Sequence, residues 1–524
     1  MQRRFNTAGP CRPDWHYMIP AERRLPEAPA LVEQRGYFVV HAPRQTGKTT
    51  ALRSLAARLT ASGSYAALLF SCEAGEAAGD DYGAAEQLVL ADMARKAESA
   101  LPPELRPPEP PPSPPGSVLG GLLAAWAHRC PRPLVLMFDE IDSLRGQSLI
   151  SVLRQLRSGY AERPHAFPSS VILCGLRDVR DYKAASGGDP DRLGTASPFN
   201  IKLESVRVGD FTREELAELY AQHTEDTGQL FTEESVSRAW EATAGQPWLV
   251  NALGREIVEK MAVPLAAPIE GKHVEIAAER LILARATHLD SLAHRLVEPR
   301  VRRVIEPVLA GTYEGGGDRY EDDLSYARDL GLVAPDKPLR IANPIYQEVV
   351  ARVLSSAVED RIPAEPSRFL LPDGRLAWRR LLRAFAAFWC EHGEILSAGV
   401  AYPEVAPQLV LMAFLQRVVN GGGIIDREYG VGRGRIDLLV RFPYRKADGT
   451  PAIQRRAMEL KVWRRGERDP LGRGLSQLDE YLKRLRLRRG TLVIFDARDR
   501  LAAHRPRFEQ ATTPSGRDVT VLRA

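Results

Sequence analysis

The sequence predicts a multidomain α/β protein, and three stretches carry that prediction. The first is the apolar run Tyr37-Phe38-Val39-Val40-His41, which turns through Ala42-Pro43-Arg44-Gln45-Thr46 to Gly47-Lys48-Thr49 and a helix from Thr50 to about Leu59. The second is Leu134-Val135-Leu136-Met137-Phe138, which ends in Asp139-Glu140. The third lies beyond Gly421-Gly422-Gly423, where short strands return on one another around Asp437 and Glu459-Leu460-Lys461. Continuous apolar runs bounded by turns suit parallel strands buried on both faces.

In the first stretch, backbone amides at the helix start and the helix dipole favour an anion. The whole loop Ala42, Pro43, Arg44, Gln45, Thr46, Gly47, Lys48, Thr49 and Thr50 is therefore a candidate cradle for nucleotide phosphates. Lys48 is placed to reach the β and γ phosphates, and the Thr49 hydroxyl to hold Mg²⁺. Ala42 stands where such a loop usually has its first glycine, and it restricts the turn. In the second stretch the acids sit at the C-terminal end of a buried strand, where open α/β sheets bind ligands. Asp139 is the candidate for the metal's water shell and Glu140 for polarising the attacking water.

The remaining elements follow in order. Residues 1–35 either pack on the nucleotide base or form a simple cover strand. Ala66–Phe70 reads as a strand and Gly83–Ser99 as a helix. The proline-dense stretch 102–115 reads as a mobile spacer. Ser169–Asp178 reads as a core strand with its exit loop, where Arg177 and Arg180 are either charge-stabilising groups or ordinary surface arginines. Phe199–Leu203 reads as the last strand of the sheet. Phe211–Thr224 and Glu233–Ala244 read as amphipathic helices, with Asp210 and Thr212 as candidate caps, and another helix begins near Pro247.

Composition sets the outer limits. The 524 residues suggest three or four domains, and 44% hydrophobic with 27% charged residues is ordinary for a globular chain. No apolar run approaches a membrane span, and Met1–Phe5 has no apolar signal-peptide core. Cys11, Cys72, Cys130, Cys174 and Cys390 are scattered without metal-ligand spacing, which suits reduced thiols and a cytoplasmic location. Charge is uneven. Residues 424–524 hold 24 Lys/Arg against 13 Asp/Glu, an excess of 11 that leaves the rest of this +5 chain at −6. A basic C-terminal part suits a polyanion.

Together Ala42–Thr50, Asp139-Glu140 and Gly245–Asn251 resemble the AAA-like ATPases, near the archaeal-type and STAND branches of the AAA+ class. The resemblance covers roughly residues 1–265. It implies a P-loop ASCE-type parallel sheet over 1–208, a helical lid over 209–282, and ATP with Mg²⁺ as cofactors. It leaves homo-oligomerisation open, since no arginine finger is secure. Residues 283–362 follow the order of a winged helix, helix then ribbon then helix, which either binds DNA or packs as an intramolecular switch. Residues 363–395 read as a linker and an aromatic-striped helix with Trp378, Phe385, Phe388 and Trp389.

In a strand Glu459 and Lys461 project to one face. Carboxylates from two neighbouring strands make a hard-oxygen site for Mg²⁺, and the ion can activate a water against a phosphodiester. Asp437, Glu459-Leu460-Lys461, then Gln477 and Tyr481 resemble the PD-(D/E)XK nuclease superfamily over roughly 396–524. That resemblance implies a restriction-endonuclease-like α/β domain with Asp437 and Glu459 as metal ligands and Lys461 and Gln477 in the catalytic set. Ile436 stands in place of the usual proline, and either Glu404 or Glu428 supplies a further acid. The expected partner is nucleic acid, with DNA the favoured class, and no membrane. The alternative is an ATP-dependent STAND-like switch whose C-terminal domain binds nucleic acid or protein without cleaving.

Overall fold

The structure is a computed structural model. It describes residues 3–177, 199, 201–284, 287–310, 318–359, 366–398, 406–419, 424–428, 437–446, 448–463, 466–496, 498 and 506–524. The chain forms two compact units. One spans Met1–Leu281 with Asp329–Gly331, and the other spans Ile282–Arg328 with Leu332–Ala524. No helix among the described residues is long and apolar enough to cross a membrane.

The first unit is built on a five-stranded sheet of β1 (Tyr37–His41), β2 (Ala66–Ser71), β3 (Leu134–Asp139), β4 (Ser170–Gly175) and β5 (Glu204–Arg207). The strand order is β2-β3-β4-β1-β5, with every pairing parallel. Parallel strands need crossovers, and here helices cover both faces. Tyr37 and Val39 point into a core with Val89, Leu122, Trp126 and Leu153 from α3 (Tyr82–Ala100), α4 (Val118–Arg129) and α5 (Gly146–Ser158). Phe38 and Val40 alternate to the other face, against α1 (Ala28–Glu33) and α2 (Lys48–Ala61). The helices α6 (Arg213–Thr227), α7 (Glu233–Thr243), α8 (Pro247–Arg255) and α9 (Gly271–Leu283) follow the sheet. Thr212 caps α6 in a reciprocal capping box with Glu215, and the Gln246 side chain caps α8 just ahead of Pro247.

Two expectations need correction. The last strand is Glu204–Arg207, not Phe199–Leu203. Phe199 is 3% exposed and stacks beside Tyr37 as part of the core, so its apolar character reports packing and not strand pairing. The proline-dense stretch also packs down instead of standing off as a spacer. Leu105 is 1% exposed within the core, and its carbonyl accepts from Trp126 Nε1 at 3.0 Å. The Glu86 carboxylate closes the far end by accepting from the Gly116 and Leu119 amides, each at 2.8 Å. Leu105→Ala should therefore cost about 2–5 kcal/mol, read as a fall in the denaturant midpoint. A Gly/Ser replacement of 102–115 that left the midpoint unchanged would show the packing to be dispensable.

The second unit begins with α10 (Thr287–Arg295), α11 (Pro299–Ala310) and α12 (Asp318–Asp329), then a Val333–Ile341 antiparallel bridge and α13 (Pro344–Glu359). Helices α14 (Trp378–Ala398) and α15 (Ala406–Val419) precede a six-stranded mixed sheet. Its order is β10-β11-β9-β8-β7-β6, from β6 (Ile424–Glu428), β7 (Asp437–Arg445), β8 (Pro451–Trp463), β9 (Arg489–Asp496), β10 (Arg507–Thr512) and β11 (Asp518–Arg523). β6-β7-β8 form an antiparallel meander, whereas β8 and β9 are parallel and joined through α16 (Leu471–Arg484). Phe385 of α14 lies 5.5 Å from Phe414 and 6.2 Å from Phe495, so the aromatic stripe there is core. The face that carries Leu439, Ala457 and Leu492 packs under Leu478 and Leu482 of α16.

Candidate functional site

The loop after β1 reaches α2 through two left-handed residues, Gln45 at φ 61° and Gly47 at φ 91°. A β-carbon at Gly47 would meet nothing within 4 Å, so glycine is needed there for its backbone conformation and not for space. Ala42 has no positive φ, and its alanine side chain is buried without backbone strain. The substitution at the loop's first position is thus accommodated because the left-handed turns fall further on.

Lys48 opens α2, and its Nζ donates to the carbonyls of Ala42 at 2.7 Å and Pro43 at 2.8 Å. The Thr46 hydroxyl donates to Pro43 as well, at 2.9 Å, while Arg44, Gln45 and Gly47 are exposed at the loop's rim. Thr49 Oγ1 donates to Asp139 Oδ2 at 2.8 Å. Asp139 ends β3, which lies two strands from β1, so the folded sheet joins residues 90 apart in sequence. The other Asp139 oxygen accepts from the Glu140 amide at 3.0 Å.

Glu140 itself is left-handed, at φ 52°. That conformation costs a non-glycine residue roughly 1–2 kcal/mol, and it turns the residue out of the strand direction. Burial pushes its carboxyl above the ordinary glutamate range, Glu73, Asp139 and Asp142 push the same way, and Arg44 opposes them. Cys72 and Cys174 are fully buried close to Asp139, and burial chiefly, then that carboxylate, holds both thiols protonated. Arg177 is described and buried, with its Nε 3.9 Å from Asp329. Arg180 lies outside the described residues.

Beside the loop is a cleft lined by Thr7, Met18, Thr46, Gly47, Thr50 and Trp248 among others. The N-terminal segment forms one wall and is fastened at both sides. The Cys11 amide donates to Thr50 Oγ1 at 3.0 Å. The Thr7 carbonyl accepts from Trp248 Nε1 at 2.9 Å, the Thr7 hydroxyl from Arg255 at 2.7 Å, and Asn251 Oδ1 from the Asn6 amide at 3.2 Å. Phe5 packs where a β-carbon on Gly254 would come within 2.9 Å of its ring. Sequence reasoning gave no role to Cys11 or Glu73. Cys11 acts here through its backbone amide, which no residue type advertises, and Glu73 reaches Glu140 only through the folding of β2 beside β3.

In the second unit Glu459 and Lys461 lie on one face of β8, 1% and 4% exposed, with Lys461 Nζ donating to Glu459 Oε1. Ala457 precedes them on that face and packs under α16, the helix that carries half-buried Gln477 and buried Tyr481. Asp437 is the first residue of β7 and pairs with Glu428 of β6. The neighbouring pair Leu438–Met458 makes Asp437 next in register, opposite Glu459. Glu404 and Ile436 lie outside the described residues. Among the described residues no group of three or more His, Cys, Asp or Glu could hold a metal ion.

The chain matches no protein-family model and no curated protein. Among solved structures it is similar to a Walker-type ATPase of Pyrococcus abyssi, at 15% identity over 66% of this chain and 99% of that one, with a TM-score of 0.48. It is similar also to the Thermotoga maritima RuvB Holliday junction branch migration motor, at 15% identity over 63% of this chain and 93% of that one, with a TM-score of 0.35. Cdc6p from Pyrobaculum aerophilum is a further similar structure, at 11% identity over 64% of this chain and 94% of that one, with a TM-score of 0.35.

Proposed function

We propose that the chain binds and hydrolyses ATP at the Lys48–Asp139 site and that its second unit is a Mg²⁺-dependent nuclease acting on nucleic acid, with DNA the favoured class. The observation that carries the ATP reading is the Thr49–Asp139 contact at 2.8 Å with Lys48 folded over the same loop. A hydroxyl and a carboxylate meeting at the start of a helix are ligand groups suited to Mg²⁺ and polyphosphate. Lys48 would exchange its two carbonyl partners for phosphate oxygens. Thr49 and Asp139 would hold the ion, which neutralises phosphate charge when bound. Glu140, with its raised proton affinity, would accept hydrogen bonding from the attacking water.

This assignment has a pH signature. Glu140 must be ionised to act, so hydrolysis falls as pH drops through its raised pKa. Glu73→Gln removes a negative neighbour, lowers that pKa, and should move the acid limb of the kcat–pH profile to lower pH. An unmoved limb would assign it to another group.

For the nuclease reading the support is the register that sets Asp437 opposite Glu459, with Lys461 two residues on and Gln477 on the helix over that face. Exposed Arg484, Arg486 and Arg488 lie at the end of α16 and the loop beyond it, suited to phosphate contacts, whereas Lys483 is engaged by Asp479 at 2.8 Å. A second reading, an ATP-dependent switch that binds nucleic acid or protein without cutting it, is favoured by one observation: Glu459 and Lys461 are closed on each other and shut from solvent. Cleavage assays on DNA and RNA with Mg²⁺ or Mn²⁺, with and without ATP, separate the two readings.

A further inference from the structure

A second cluster in the C-terminal unit lies on the opposite sheet face from Glu459. Side chains alternate along β8, so Gln454, Arg456 and Met458 share the face that Glu459 and Lys461 do not. Met458 is in register with Thr491 of β9, and one step of two residues back along each strand brings Arg456 beside Arg489. The segment that leads into α14 lies across this face. The Leu376 amide donates to Gln454 Oε1 at 2.8 Å, Gln454 Nε2 donates back to the Leu376 carbonyl at 3.1 Å, and Trp378 Nε1 donates to Thr491 Oγ1 at 3.0 Å. Arg375, Arg456 and Arg489, from three separate segments, are thereby gathered at one end of the β8-β9 pair.

Among the described residues, two carboxylates pair with these three guanidinium groups. Asp373 sits 2.6 Å from Arg375, and Asp518 sits 3.5 Å from Arg489. Arg456 is the innermost of the three, and its Nε is buried with no hydrogen-bond partner among the described residues. Burial first, then Arg489 and Arg375, press its proton affinity down, the signature of a cation crowded by cations. Collecting like charges and leaving a buried donor unused is costly unless an anion completes the set. The guanidinium fork matches the paired oxygens of a phosphate.

We propose that Arg375, Arg456 and Arg489 form a phosphate-binding site, for free phosphate or for the phosphodiester of a nucleic acid, separate from both the Lys48 loop and the Glu459 face. The test uses the full chain carrying Lys48→Ala, which silences the phosphate loop. Thermal stability is followed as sodium phosphate replaces sodium chloride at equal ionic strength, and a labelled oligonucleotide is titrated by fluorescence anisotropy. Loss of a charge-assisted contact should weaken binding roughly tenfold or more in Arg456→Gln, with Arg489→Gln, at an exposed position, giving the same direction without disturbing the core. Protection by inorganic phosphate that both variants lose establishes a free-phosphate site. A response confined to the oligonucleotide, with a shallower salt dependence in the variants, assigns the site to a phosphodiester. Affinities for both probes within twofold of the parent in both variants, or no binding of either probe by the parent, overturn the proposal.

Discussion

Lys48→Ala is expected to abolish ATP binding, with a loss of at least about a hundredfold in affinity. The Lys48 ammonium is held over the loop by the Ala42 and Pro43 carbonyls, 2.7 and 2.8 Å away. Those contacts hold it where phosphates would arrive, so removing it takes away a positioned cation and the charge-assisted bonds it would make to phosphate in their place. Glu140→Gln should part from this behaviour. Thr49, Asp139 and Lys48 remain, so ATP affinity should stay within a few fold, while hydrolysis falls by about 10²–10⁴ because the amide is a far weaker base. Calorimetric titration with Mg-ATP and a phosphate-release assay measure both halves. Equal affinity in wild type and Lys48→Ala would remove the ATP reading altogether.

Asp437→Ala should stop metal-dependent phosphodiester cleavage, by about a thousandfold or more, without changing ATP affinity. Lys461→Ala should also stop it, but for a mixed reason. Glu459 is 1% exposed and bonded to Lys461. Deleting the lysine strands a buried carboxylate, at about 3–5 kcal/mol, so lost activity there must be compared with lost stability. The pair Glu459→Gln with Lys461→Met removes both charges and tests cleavage in a folded unit. Cleavage that persists in Asp437→Ala would belong to another site or another protein. Absence of cleavage by the wild type under every metal, salt and nucleotide condition would shift the reading to the non-cleaving switch.

The central strands were legible because burial on both faces writes itself as an unbroken apolar run. Tyr37–His41 has the bounds its sequence suggests, and β3 runs one residue past the apolar run Leu134–Phe138 to include Asp139. The edge strand β5 was not, because Glu204–Arg207 buries only Val206 and carries no such signature. Proline content hid both the short 3-10 turn Pro103–Leu105 and the anchoring of the 102–115 stretch, since two leucines at 101 and 105 do the packing. Spacing could suggest that Thr49 and Asp139 share a ligand. It could not show that β4 lies between their strands, nor that Glu73 bears on Glu140, because strand order is settled by packing across the whole sheet. In the second unit the alternation of Glu459 and Lys461 was readable, whereas the closure of the lysine onto the glutamate was not.

The fastening of the N-terminal segment has a mechanical side. Thr7 is bonded to Trp248 and Arg255, both on α8, and four residues later Cys11 is bonded to Thr50 in the first turn of α2. Four residues span at most about 14 Å when fully drawn out, and the segment is bent at residues 8–10, so it is a short strap that holds some slack. A separation of α8 from α2 beyond that span would require one of these bonds to break or Thr50, next to Thr49, to move. The N-terminal segment thus tethers α8 to the first turn of α2, and its length sets the largest separation the two can reach with both fastenings intact.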